Sequence, residues 1–355
     1  MRNSHLIIFM RLVRPVFLFL LIFIAAFAHA QAGVKPLQAC ATVSDLGSLL
    51  KEVGGDQVSV TVFTKGKEDP HFLEAKPSFI KALSQADLYV QIGMELEVGW
   101  APVLLQNARN GRVLPGAPGY VDASVAIAPL EIPTGPVDRS MGDVHSLGNP
   151  HYLTDPLNGL RATRLIKDKL IEQRPEKKQF FEERYTAFQK KLGEALVGEK
   201  LAKKYDLEKL AFLFAQGKIE SSLKEQKEEV LLGGWVGMML PYFGSKVVSD
   251  HNLWPYFSRR FGISIAGFLE PKPGLTPTTK HLQALVEMMR TQGIKVILTS
   301  PYFDIRHAQF LAKNTGAKIA LMAHQVGARP GTDDYLTLID YNVGQLVSAL
   351  GGGRQ

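Results

Sequence analysis

The sequence predicts an α/β protein of two lobes, each built on a mainly parallel sheet, joined by a long helix. Three observations carry this. Short β-type runs alternate with longer amphipathic segments, the pattern of parallel α/β domains. The 355 residues are enough for two separate cores. From residue 156 to about 228 the chain is rich in Lys, Glu, Leu and Ala and has no convincing strand. With 46% hydrophobic and 21% charged residues, the composition is globular rather than disordered.

Taken in order, the chain opens with Arg2, Arg11 and Arg14 around the start of an apolar run over 16–28, then Ala28-His29-Ala30. A basic start, an apolar stretch of about 13 residues and an A-x-A site make residues 1–30 a cleaved signal peptide, which implies the periplasm. A membrane span needs roughly 20 apolar residues. Leu37-Gln38-Ala39-Cys40 loosely resembles a lipidation box, but Cys40 falls inside 37–43, which reads as the first core strand. Residues 57–63 are β-branched and partly alternating, 78–86 are amphipathic, and 88–92 form a strand that ends at Gly93. Pro175 opens a helix whose apolar residues Phe181, Tyr185, Phe188 and Leu192 recur at helical spacing. Strands follow at 246–248, 295–298 and 318–322, with helices at 281–292 and 305–314. The expected organisation is 1–30 signal peptide, 31–155 N-terminal lobe, 156–232 helical linker with a long interlobe helix, and 233–355 C-terminal lobe.

A formal charge of +7 invites a nucleic-acid partner, but three Arg leave with the leader and no acid does, so +7 becomes +4. The remaining basic residues are scattered, and 190–204 and 224–229 mix both signs as solvated helix faces do. No nucleic-acid partner is expected. A single cysteine excludes an intramolecular disulfide framework and a thiolate zinc module. Any metal chemistry falls to histidine.

Of nine histidines, His5 and His29 leave with the leader. His71, His145, His151 and His251 lie in polar loops beside Pro or Asp, and His71 and His251 follow strands at their carboxyl ends. That is where open α/β sheets bind ligands. Asp69, Asp143 or Asp155, and Asp250 are close enough in sequence to orient these imidazoles. Singly, each histidine reads as a hydrogen-bonded loop residue. His281 and His307 sit in helices as packing or surface residues.

An ordered set of fragments resembles the metal-binding substrate-binding proteins of bacterial ABC importers, the zinc and manganese group. The fragments are Asp69-Pro70-His71 with Pro77-Ser78, then Ala86-Asp87-Leu88 through Gly93 to Glu97 and Trp100, then Gly148-Asn149-Pro150-His151-Tyr152-Leu153-Thr154-Asp155-Pro156. Asp250-His251-Asn252-Leu253-Trp254-Pro255, Glu270-Pro271-Lys272-Pro273-Gly274 and the closing segment from Tyr335 through Asp340 to Asn342 complete it. The resemblance spans nearly the whole mature chain. It implies a ligand cleft between the lobes, no catalysis, and delivery of a divalent metal ion to an ABC permease. It also implies metal ligands at His71, His151 and His251. Three imidazoles favour zinc over manganese, which prefers more oxygen ligands.

The fourth position departs from the family, which places an Asp just after the strand at 318–322. Here Ala323-His324-Gln325 follows, leaving His324, Asp333 or water as fourth ligand, with His145 a further neighbour. Glu97 and Glu270 are expected to hydrogen-bond structurally. The His- and acid-rich loop common in that family's zinc carriers is missing between His71 and His151. Its absence implies delivery by a metallochaperone or a different metal. The alternatives are a manganese-type binding protein, an adhesin, and a zinc hydrolase with three His ligands and an open position; against the last, no H-E-x-x-H occurs.

Overall fold

The computed structural model describes residues 35–135 and 144–351; the signal-peptide segment 1–30 and Asp143 lie outside them. The first lobe comprises β1 (Leu37–Ala41), α1 (Ser44–Gly54), β2 (Val58–Val62), α2 (Pro77–Ser84), β3 (Leu88–Gln91), α3 (Ala101–Ala108) and β4 (Tyr120–Asp122). Its strands pair in parallel in the order β2-β1-β3-β4. Five helices follow: α4 (Pro156–Gln173), α5 (Lys178–Val197), α6 (Glu199–Lys204), α7 (Leu207–Ala215) and α8 (Ile219–Glu225). The second lobe holds α9 (Gly234–Met239), β5 (Lys246–Ser249), α10 (Pro255–Phe261), β6 (Ser264–Phe268), α11 (Thr279–Thr291), β7 (Val296–Thr299), α12 (Ile305–Thr315), β8 (Lys318–Leu321) and α13 (Tyr335–Gly351). Its sheet repeats the parallel order, β6-β5-β7-β8.

Both sheets reverse winding direction beside their first strand, between β1 and β3 and between β5 and β7. Such switch points open crevices at the carboxyl ends of strands. His71 follows β2, His251 follows β5 and His324 follows β8, so the topology turns three distant loops toward one end of the sheets. Cys40 is buried in β1, and burial pushes its thiol up to about 12. It is a packing residue there. Among the described residues no helix is long and apolar enough to cross a membrane.

The middle is helical as its composition implies, with α5 the longest helix at 20 residues. It is divided, however, by two local causes. Pro175 biases Arg174 out of the helical region and ends α4. Gly198, at φ +88°, ends α5. The joining element is a stack of helices in place of one continuous rod. One apolar cluster runs through it: Leu37, Leu88 and Val90 of the first sheet, Ile166 and Leu192 of the stack, and Val247 and Leu298 of the second sheet. Wide opening of the lobes would break this core, so small rotations and loop ordering are the motions it permits.

Close backbone approaches tighten the junction. A Cβ on Gly66 would lie 2.4 Å from the Ala328 nitrogen and the Val326 oxygen, so only glycine lets the loop after β2 meet the loop after β8. Ser44 Oγ donates to the Val326 carbonyl at 2.7 Å, and Val326 N–H donates to Asp45 Oδ1 at 2.7 Å. Tyr335 hydroxyl donates to the Leu153 carbonyl at 2.6 Å, over Gly159.

Candidate metal centre

His71 lies in the loop after β2. Asp69 Oδ1 accepts from its backbone N–H at 3.0 Å and lies 2.7 Å from its Nδ1. The carboxylate therefore folds the turn and fixes the ring together, leaving Nε2 buried without a partner. Burial pushes Asp69 up, but its hydrogen bond to His71 and the imidazole charges outweigh that and hold it below the ordinary range.

His151 precedes a single helical turn, Tyr152–Thr154. Its N–H donates to Asn149 Oδ1 at 2.9 Å, and its carbonyl accepts from Thr154 Oγ1 at 2.8 Å. Its Nε2 is buried and unpartnered. Burial, then repulsion from the neighbouring imidazoles, pushes its pKa well below the usual value. The ring is neutral at physiological pH and able to donate a lone pair.

His251 lies two residues beyond the end of β5, after Asp250. Its Nδ1 lies 2.6 Å from Glu270 Oε2 and its N–H donates to Asp250 Oδ1 at 2.8 Å. Phe303 stacks on the ring at 5.5 Å. Asp250, which the sequence offers as the orienting carboxylate, instead binds backbone N–H groups of His251 and Ser300. Glu270 orients the ring, from 19 positions away. Asp155 pairs with Arg260, not with a histidine. Glu97 is structural as expected: it accepts from Thr42 Oγ1 at 2.7 Å and from Ile92 and Gly93 N–H, and burial raises it to about 7.

These three histidines converge. Their ligand atoms lie within 4.8 Å of one another, and ring centroids are 5.3 Å apart for His71 and His151, 6.1 Å for His71 and His251, and 6.0 Å for His151 and His251. The loops bearing His151 and His251 are tied together. Asn149 Nδ2 donates to the Asn252 carbonyl at 2.9 Å, and Glu131 Oε2 accepts from both asparagine side chains. Tyr256 hydroxyl accepts from Leu130 N–H and donates to the Asn149 carbonyl, each at 2.9 Å. The sequence presents Asn149 and Asn252 only as parts of family-like fragments and gives no sign of Glu131, because no spacing rule links positions 131, 149 and 252.

His324 stands beside this group and not in it. It shares a cavity of about 30 Å³ with His151, room for a water or two. Its Nε2 accepts from the Gln325 amide at 2.8 Å, and its ring sits edge-on to Tyr302 at 4.3 Å. Asp333 is exposed in the loop before α13. His145 comes closer: its ring stacks on His71 at 5.3 Å, and its Nε2 is buried without a partner. Burial, then repulsion from His71, lowers it to about 4. His281 Nε2 lies 2.9 Å from the Phe268 carbonyl as a packing residue.

Two tests follow from these environments. Carboxylates that orient metal-bound imidazoles are worth about 10-fold to 100-fold in affinity. Asp69→Asn and Glu270→Gln should each lower the affinity for a divalent metal ion by about that much, read by competition with a chromophoric chelator. His324, lowered to about 3 by burial, stays neutral in the fold while the unfolded chain takes up protons below about pH 6.5. The metal-free protein therefore loses stability as pH falls. His324→Gln should reduce that acid loss by about 2 kcal/mol between pH 7.5 and 5, measured by urea unfolding at both pH values.

Two α/β lobes with paired switch points and a carboxylate-backed histidine cluster at their junction define a solute-binding protein for a metal ion. The family model of the periplasmic zinc-uptake complex component A, ZnuA, matches residues 40–206 and 238–349. The chain belongs to this family, whose members are substrate-binding proteins of metal ABC transporters and not enzymes; the hydrolase alternative has no support. A metal ABC transporter substrate-binding lipoprotein, SloC, of Streptococcus mutans is 23% identical over 322 residues, covering 89% of this chain and 90% of its own. A manganese ABC transporter substrate-binding lipoprotein, PsaA, of Streptococcus anginosus is 23% identical, with 90% and 91% covered. A crystal structure of ZnuA superposes with a TM-score of 0.64 at 22% identity, covering 88% of this chain and 99% of that one. The two-lobed α/β architecture is thus shared.

Proposed function

We propose that this protein captures zinc outside the cytoplasm through His71, His151 and His251 and hands it to an ABC permease. The observation that carries the reading is the convergence of three imidazoles within 4.8 Å, two of them backed by carboxylates. An all-nitrogen set suits zinc, whereas manganese favours oxygen. Zinc enters as an aquo ion, exchanges waters for imidazoles, and the loops order around it. The continuous core restricts the lobes to small rotations. Because bound imidazole must be neutral, affinity falls as acid protonates the ligands. The basic, apolar leader argues for the periplasm, and Cys40 within β1 argues against lipid attachment at that residue. A metallochaperone is proposed to supply the ion, since no His- and acid-rich stretch occurs between His71 and His151.

Equilibrium dialysis against zinc and manganese together, followed by metal analysis, tests the assignment. One zinc per chain with manganese excluded is the expected result. Preferential manganese binding would move the protein to the manganese group, and no binding of either would overturn the reading.

A further inference from the structure

The strongest unassigned feature is the loop just before the His151 turn. Gly93, Met94 and Glu95 run in succession at φ +80°, +50° and +68°, left-handed backbone that is strained at the two non-glycine residues. That turn presents Glu95 to Ser146, whose N–H donates to Oε2 at 2.6 Å and whose hydroxyl donates to Oε1 at 2.8 Å. Both carboxylate oxygens are thereby spent on fixing residue 146, next to His145. The Gly148 N–H also closes back on the His145 carbonyl at 3.3 Å. The loop holds the His145 ring against His71, with its Nε2 buried and without a hydrogen-bond partner. A buried polar nitrogen without a partner costs free energy in the metal-free protein. His324 also keeps one buried ring nitrogen, Nδ1, without a partner, but its ring lies edge-on to Tyr302 and its Nε2 is engaged by Gln325, whereas the His145 ring stacks directly on His71.

We infer that His145 is the fourth zinc ligand, swung onto the ion from its stack on His71, and that Glu95 is the positioning residue that holds its loop over the site. This rests on the reading of His71, His151 and His251 as the metal centre. It makes the site four imidazoles, three from the first lobe's loops and one from the second. The sphere is then tetrahedral and closed, without a carboxylate, and discriminates against oxygen-preferring ions.

The test uses the full mature chain loaded with cobalt and with zinc. Four nitrogen ligands give cobalt an intense tetrahedral visible spectrum. His145→Ala and His145→Gln should both weaken that spectrum and lower zinc affinity by about 10-fold to 100-fold, and added imidazole should restore the band in His145→Ala. Glu95→Ala should keep the tetrahedral band while zinc release from a chelator-trapped sample speeds up. An unchanged spectrum and affinity in both His145 variants overturns the inference, as does a spectral loss confined to His324→Ala. Wild-type affinity in His71→Ala as well would instead sink the metal-centre reading beneath it.

Discussion

Zinc is expected to stop stabilising the protein when His71 or His251 is replaced by alanine. Each of these rings is held by a carboxylate at 2.7 Å or 2.6 Å, so little ordering remains to be done when the ion arrives. Losing a direct ligand should cost at least as much as losing its orienting partner, which is worth about 10-fold to 100-fold, and about 100-fold is the expected loss here. The consequence can be read without a binding assay. With free zinc at 100 times the wild-type dissociation constant, binding stabilises the wild type by about 2.7 kcal/mol. At the same zinc concentration the variant sits at its own dissociation constant and gains only about 0.4 kcal/mol. Urea midpoints with and without zinc should therefore separate in the wild type and nearly coincide in either variant. Metal-free midpoints should fall in each variant, because Asp69 or Glu270 loses its imidazole partner, so the quantity to compare is the zinc-induced shift within each protein. A full zinc-induced shift in both variants would remove these histidines from the site.

Much of this was legible in the chain, and the reasons for the gaps are physical. The runs that became β5 and β7 announce themselves because strands buried between helices are nearly continuously apolar, and β2 does so by its β-branched alternation. β4 spans only Tyr120–Asp122, and β6 carries Ala266 and Gly267; neither has enough β-branched residues to stand out. Three histidines could be placed after strands or in a ligand-like loop, and the fold brings those three together. Their supporting groups could not be read. Asp69 was visible because it is two residues from His71 and makes a local turn. The sequence marks Glu270 only as a structural hydrogen bonder, because its partner, His251, is reached only when the loops after β5 and β6 meet. Asp250 is nearer in sequence, yet in the bend after β5 its carboxylate turns inward to the backbone N–H groups of His251 and Ser300. His324 occupied the right loop but had its Nε2 engaged by its own neighbour, a detail of rotamers that no spacing encodes.

Replacing Asp155 by alanine should be the most destabilising single change near the site, although Asp155 touches no proposed ligand atom. Its carboxylate receives Arg260 Nε at 2.7 Å and Nη2 at 2.8 Å, with the two side chains only 5% and 10% exposed. It also caps α4 through the Leu157 N–H at 2.9 Å. Removing it strands a buried guanidinium, which costs about 3–5 kcal/mol, and the lost cap adds about 1 kcal/mol. Against a typical total of about 5–15 kcal/mol, the urea midpoint should fall steeply. Asp155→Asn keeps an acceptor for both partners and should lose less. Replacing the pair together, Asp155→Ala with Arg260→Leu, removes the stranded charge and should recover most of the stability, since apolar substitutes for buried ion pairs are often neutral. Zinc affinity should not recover with it. Asp155 lies four residues beyond His151 and Arg260 nine beyond His251, so the pair sets the distance between the two loops that bring imidazoles from opposite lobes. A double variant that regains both stability and full zinc affinity would show that the asparagine and Glu131 ties alone hold those loops in register.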